Sequence, residues 1–282
     1  MSLTTGLFPG LVATGASFLG AWCFPKRLPA TMATNHRGRQ VPLTLGFALT
    51  AGYVLALLTF VERLFLSDSV ERTSGFEALW LLICVVAVFG AGLYDDRRPS
   101  RVHGLRSHFS ELARGRVTSG IVKVLVVAGA ATISAVALGG RGLVLVVGVP
   151  LIAGIANLCN LLDVAPGRSL KFGFLTSLIL LTFRGSVLGW ATLGSAAVLL
   201  PLDVRERGML GDAGSNVLGF VLGVQLFLQL PSVATLGIAL AIVLILHAVA
   251  ETVTLTRVIR AVPPLRWADD LWRIPAEESR ID

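Results

Sequence analysis

Apolar residues in this chain come in long blocks. The blocks lie near residues 4–24, 41–61, 78–94, 120–138, 142–162, 170–183, 186–202, 214–230 and 232–255, with short polar stretches between them. A helix needs ~20 apolar residues to cross a bilayer, and most blocks approach that length. The pattern predicts an all-α polytopic transmembrane bundle of about nine spans. A membrane β-barrel would instead alternate over segments of ~10 residues. The blocks at 170–183 and 186–202 are short, so tilt or interruption is expected there. Pro150 lies inside the fifth block, where neighbouring helices can satisfy the freed carbonyl. Pro231 marks a tight connection between the last two blocks. Gly219 and Gly223, four apart in the eighth, predict close helix packing. No internal repeat stands out.

Composition agrees with this pattern. Of 282 residues, 54% are hydrophobic and only 15% charged, where a soluble domain carries about 25% charged residues. The mean hydropathy is +0.78. Residues 1–255 read as one membrane domain and 256–282 as a tail. The first block lacks a basic leader and a cleavage signal, so it reads as a retained helix. Cys23, Cys84 and Cys159 all lie in apolar blocks without metal-ligand spacing or evident disulfide partners, which suggests packing.

Net charge is +7, and its distribution sets an orientation. Suppose the segments after the first, third, fifth, seventh and ninth blocks share one side. That side then holds nineteen of the 24 Lys and Arg residues. The other side holds Arg63, Arg72, Arg141 and Arg184, and Lys123 lies within a block. The positive-inside rule makes the nineteen cytoplasmic, with the N-terminus outside and the tail inside. Arginine-rich loops account for the charge without nucleic acid as a partner.

Acids gather at the same side, although the orientation rule ignores them. Asp95 and Asp96 end the third block. Asn157, Asn160 and Asp163 end the fifth, at a spacing that follows one helical face. Asp212 opens the eighth, in Gly211-Asp212-Ala213-Gly214-Ser215-Asn216. Two adjacent acids at a membrane border are costly without a partner. One can hold a cation while its neighbour accepts a proton. Asp212 offers hard oxygen to Mg²⁺, and a helix start with free N–H groups favours phosphate. Asp, Ser and Asn are equally good helix caps, so the Asp212 stretch reads either way. Asn157 and Asn160 suit interhelical hydrogen bonds as well as a ligand.

Lys123 stands three residues into the fourth block. A Lys deep in a membrane costs ~2.5–3.5 kcal/mol, and snorkelling to the near interface would relieve that. His247 and Glu251 sit four apart in the last block and can pair within the bundle. The polar loop before Lys123 holds His103, His108 and Phe109, a pattern that suits a short amphipathic surface helix. A transporter would carry charges near the midplane and internal repeats; the acids here cluster at one face.

Taken together, Asp95-Asp96, Asn157-Leu158-Cys159-Asn160-Leu161-Leu162-Asp163 and Asp212 resemble the motifs of the polyprenyl-phosphate N-acetylhexosamine-1-phosphate transferases, in that family's order and over most of the chain. The family includes the enzyme that makes the first lipid intermediate of peptidoglycan, and relatives that begin O-antigen and teichoic acid. The resemblance implies a bacterial inner-membrane enzyme. It would move a sugar-1-phosphate from a UDP-sugar to polyprenyl phosphate and release UMP in cell-envelope glycan synthesis. It implies Asp95, Asp96 and Asp163 as catalytic groups and Asp212 as ligand of Mg²⁺ with Asn160 assisting. Lys123, Asn157 and Ser215 would bind substrate. A homodimer stays open.

Three departures mark the chain. Val164-Ala165-Pro166-Gly167-Arg168 follows Asp163 where the family carries a second Asp. Arg266-Trp267-Ala268-Asp269-Asp270-Leu271-Trp272-Arg273 stands where it carries a His-rich motif, and a tenth span is missing. A catalytically degenerate member that binds lipid phosphate or a partner protein is the alternative.

Overall fold

The computed structural model describes residues 6–23, 32–34, 38–62, 69–98, 110–230 and 232–273. His103, His108, Phe109, Pro231 and the Glu251 side chain lie outside that description. Each expected apolar block holds a helix: α1 (Leu7–Cys23), α2 (Thr44–Val61), α3 (Ser69–Arg97), α4 (Ser119–Ala137), α5 (Leu143–Leu162), α6 (Arg168–Phe183), α7 (Val187–Asp203), α8 (Gly211–Gln229) and α9 (Val233–Val253). Six of them, α2, α3, α4, α5, α8 and α9, are long and apolar enough to cross a membrane, while α1 and α7 are shorter apolar helices. The protein is an all-α bundle of membrane type.

Burial divides these helices sharply. In α8, 83% of the apolar window is buried, against 11% in α9. Helix α8 is therefore the centre of the bundle, touching α2, α3, α5 and α6, while α9 leans mainly on α5. The exposed Ile238, Ile242, Leu244 and Ile245 of α9 suit contact with lipid. Small residues explain how α8 fits. A Cβ on Gly219 would lie 2.6 Å from Ala156 Cα, and one on Gly223 would lie 2.7 Å from Ile152 Cα. The α5 and α8 backbones meet there because neither position carries a side chain, as the four-residue spacing predicts.

Polar groups inside the bundle find one another. The buried Tyr53 hydroxyl lies 2.9 Å from Thr192 Oγ1. Gln225 Nε2 donates to Thr192 Oγ1 at 3.2 Å, and Ser177 Oγ donates to Gln225 Oε1 at 3.3 Å. Helices α2, α6, α7 and α8 are thus joined where no water would satisfy these groups.

Three features differ from the sequence pattern. An antiparallel ribbon forms between β1 (Met32–Thr34) and β2 (Gln40–Pro42), pairing Ala33 with Val41. Three-residue strands are too short to show alternation. The tail folds into α10 (Leu255–Ala261) and α11 (Pro263–Asp270). Cys84 and Cys159 are buried as expected, but Cys23 is exposed at the end of α1.

Candidate functional site

The site is built from helix ends. Helix α8 begins at Gly211, whose φ of +66° is open to glycine and strained for other residues. A side chain there would also press on Asp96, whose carboxylate oxygens lie 3.1 Å from the would-be Cβ. The first N–H groups of any helix have no partner within it. Here Leu210, the residue before the helix, supplies no side-chain cap. Asp96 does so from α3. Its Oδ1 accepts from the Asp212 N–H and its Oδ2 from the Ala213 N–H, both at 2.9 Å. The Gly211 N–H donates to the Asp163 carboxylate at the end of α5. Three successive N–H groups thus meet two carboxylates, in the favourable end of the helix dipole. This corrects the expectation that the start of α8 offers free N–H groups to phosphate.

Asp95 turns the other way. Lys123 Nζ lies 2.7 Å from Asp95 Oδ2 and 2.7 Å from Asp212 Oδ2, so one ammonium joins α3, α4 and α8. Ser119 Oγ donates a short hydrogen bond to Asp95 Oδ1. Ser119 and Lys123 are four apart, which sets both on one face of α4 toward Asp95. Thr118 caps that helix by accepting from the Ile121 N–H. Lys123 is buried, so it closes an ion triad and does not snorkel.

Asp163 lies in the field of Asp203, Asp212 and Asp96, and burial followed by those like charges pushes its carboxyl well above the usual carboxylate range. The three acidic stretches therefore converge. Ser215 Oγ lies 3.0 Å from Asn160 Oδ1 and 2.7 Å from the Gly211 carbonyl, which its single proton serves between them. Asn216 Nδ2 donates to the Asp212 carbonyl at 2.6 Å. Asn157 is not drawn into this group: its Nδ2 lies 2.9 Å from His247 Nε2 on α9. That contact fulfils the interhelical bonding expected of Asn and gives His247 a partner.

One acid was not singled out by its sequence position. Asp203 ends α7 as Asp95, Asp96 and Asp163 end or follow their helices, and it is buried. Its Oδ2 accepts from the Gly167 N–H at 3.0 Å, in the turn after Asp163. The signal was available: an acid closing an apolar block.

The tail seals that same turn. Arg168 Nε and Nη2 each donate to Asp269 at 2.9 Å, a bidentate pair, and its Nη1 donates to Thr256 Oγ1 at 3.0 Å. Arg273 grips Asp269 with both Nη atoms and donates from Nε to the Pro166 carbonyl at 2.9 Å. Lys171 Nζ reaches the carbonyls of Ala268, Asp269 and Leu271 at 3.0, 2.8 and 2.7 Å. Burial pushes the Asp269 carboxyl up, but Arg168 and Arg273 more than offset it and hold it below the ordinary carboxylate range. Residues 266–273 therefore form a clasp on the turn beside Asp163 and Asp203.

Asp95 and Asp212 share a single ammonium, with Asp96 and Asp163 close beside them, so carboxyl groups outnumber cations here. Mg²⁺ keeps an octahedral oxygen shell and commonly uses one or two carboxylates together with substrate phosphates. Among the described residues no group of three or more His, Cys, Asp or Glu is arranged to hold a metal alone. Mg²⁺ here would need substrate oxygens to complete its shell, with Asp212 as the carboxylate and Asn160 as the neighbouring oxygen. Asn160 is engaged with Ser215 and comes second to Asp212.

No protein-family model matches this chain, and a search of curated proteins finds no match.

Proposed function

We propose that the protein is an integral membrane phosphoglycosyl transferase, moving a sugar-1-phosphate from a UDP-sugar to polyprenyl phosphate. An oxygen of the polyprenyl phosphate attacks the β-phosphorus of the donor. The bond from that phosphorus to the bridging oxygen breaks, and UMP leaves with the electron pair. The setting is a bacterial inner membrane, in cell-envelope glycan synthesis. In this reading all of α1 to α9 cross, the shorter α1, α6 and α7 included, with the N-terminus outside and the tail in the cytoplasm, which would give the site access to nucleotide-sugars. The observation that carries this reading is the meeting of Asp95 and Asp212 on Lys123, with Asp163 beside Asp212 and Asp96, at one end of the bundle.

Phosphoryl transfer asks a protein chiefly for positioning and charge neutralisation. Mg²⁺, when bound, would supply electrostatic stabilisation of the diphosphate. Lys123 contributes a fixed cation beside Asp212. Asp95 or Asp96 is the base that draws a proton from the lipid phosphate; Lys123 and Ser119 hold the first, and the start of α8 holds the second. Asp163 lines the site from α5, and Ser215 with Asn160 orients that wall.

The test is purified protein with a short-chain polyprenyl phosphate and a panel of UDP-sugars, reading UMP release with and without Mg²⁺. Asp212→Ala should lower turnover ~10²-fold or more, as loss of a principal electrostatic group does. Full activity in that variant removes Asp212 from its role. A second reading, a degenerate member that binds lipid phosphate or a partner without turnover, is favoured by Pro166 in place of the expected second Asp. Turnover with any donor removes it.

A further inference from the structure

A second polar site lies at the other end of the bundle. At 1.5 Å per residue, α3 rises ~27 Å from Glu77 to Asp95 and α8 rises ~26 Å from Asp212 to Gln229. Glu77 and Gln229 therefore lie close to one hydrocarbon thickness from the carboxylate cluster, at the opposite membrane border. There a cleft of about 280 Å³ is lined by Glu77, Arg184 and Gln229 and walled by apolar side chains including Phe60, Leu81 and Leu138.

Its polar groups are unmatched within the protein. Both Nε2 and Oε1 of Gln229 are shut off from water and have no hydrogen-bond partner among the described residues. Such atoms are rare in folded proteins and call for an explanation. Glu77 is half-buried in a membrane helix and pairs with no cation among the described residues. Arg184 is exposed; its backbone N–H closes α6 on the Leu180 carbonyl, and its guanidinium forms no ion pair among the described residues. One acid, one base and one amide thus border a half-apolar cleft without satisfying each other.

We propose that this cleft binds the headgroup of a phospholipid of the ethanolamine type. The charges specify a zwitterion. Arg184 takes the phosphate through charge-assisted hydrogen bonds. Glu77 takes the ammonium. Turned into the cleft, Gln229 Oε1 accepts a second ammonium N–H, and its Nε2 donates to a phosphate or ester oxygen. A primary ammonium carries three donors, whereas the quaternary nitrogen of choline carries none, so Glu77 and Gln229 select ethanolamine over choline. A purely anionic headgroup leaves Glu77 opposed. A soluble zwitterion leaves the exposed Leu228 in the cleft lining uncovered, while the start of an acyl chain covers it.

The experiment uses the full chain, stripped of lipid in detergent. It is offered phosphatidylethanolamine, phosphatidylcholine, phosphatidylglycerol or free phosphoethanolamine, and native mass spectrometry reads the retained ligand. Phosphatidylethanolamine should be retained about tenfold or more over the other two lipids, the discrimination of roughly one charge-assisted hydrogen bond. Free phosphoethanolamine at equal concentration should not be retained. Glu77→Gln should erase the preference over phosphatidylcholine, Arg184→Gln should weaken both zwitterionic lipids, and Gln229→Leu should lower ethanolamine retention in a protein that keeps both charges. Equal retention of all lipids, or a preference that survives Glu77→Gln and Arg184→Gln, overturns the site. Retention of the free headgroup overturns its assignment to lipid. UMP release at the far end is a separate readout, so either reading can fail alone.

Discussion

At one end of α3, Asp95 and Asp96 meet an ammonium, a hydroxyl and two backbone N–H groups. Near the other end, Glu77 meets no cation among the described residues. Helix α8 repeats the contrast, with Asp212 held by Lys123 at its start and the Gln229 amide without a partner among the described residues at its finish. The difference teaches what a buried polar group is for. Where acids are answered by other helices, they hold the bundle's register as well as offering charge to a ligand. Where they are unanswered, the frame does not depend on them, and the partner has to come from outside.

That contrast can be broken by substitution. The largest effect belongs to Lys123→Met, which leaves Asp95 and Asp212 as buried like charges. Removing one member of a buried ion pair costs about 3–5 kcal/mol, so the unfolding midpoint in detergent should fall steeply. Adding Asp95→Asn should return part of the loss. If Lys123→Met alone is neutral, the triad is not what joins α3, α4 and α8.

Next comes acid pH at the tail clasp. Arg168 and Arg273 hold Asp269 below its ordinary value, so it binds fewer protons folded than unfolded. The stability it lends is complete above its unfolded pKa of ~3.9 and is lost as pH falls through the lower folded value. Limited proteolysis should find α10 and α11 released in that window. Asp269→Asn should abolish the pH dependence of release.

Asp96→Ala follows, removing a cap from α8 at a cost of roughly 1–2 kcal/mol. Hydrogen exchange should quicken at the Asp212 and Ala213 amides ahead of the rest of the helix. Unchanged exchange there would show that the cap is not needed. The smallest effect is expected from Glu77→Gln in lipid-free detergent, within about 0.5 kcal/mol, because no partner is lost. A large destabilisation would reveal a partner for Glu77 within the protein and end the comparison.

How far these groups were readable from the chain follows from the same physics. The nine apolar blocks predicted nine helices, since length and hydropathy are local properties. The spacing of Gly219 and Gly223 predicted a close helix contact, and α5 is the helix that makes it. The acids at helix ends were visible as departures from apolar runs, and Asp203 would have joined them had the same criterion been applied to α7. Their partners were not visible. Whether Asp96 reaches the start of α8 or Asp95 does so depends on the rotation of α3 about its axis, which no local spacing encodes. Asn157 and Asn160 share a stripe, yet one faces His247 and the other Ser215, because α5 touches both α9 and α8. The Asp269 clasp joins residues far apart in sequence, and nothing near Arg168 announces it.

The distance along the chain in that clasp has a consequence for biogenesis. Arg168 and Asp269 are separated by 101 positions. At ~5–20 residues per second, a ribosome needs roughly 5–20 s to deliver the aspartate after the arginine. Through that interval the guanidinium must stay hydrated or rest on lipid phosphate, and the turn it will fasten stays open to water. Helices α10 and α11 therefore finish a wall that was begun much earlier in translation.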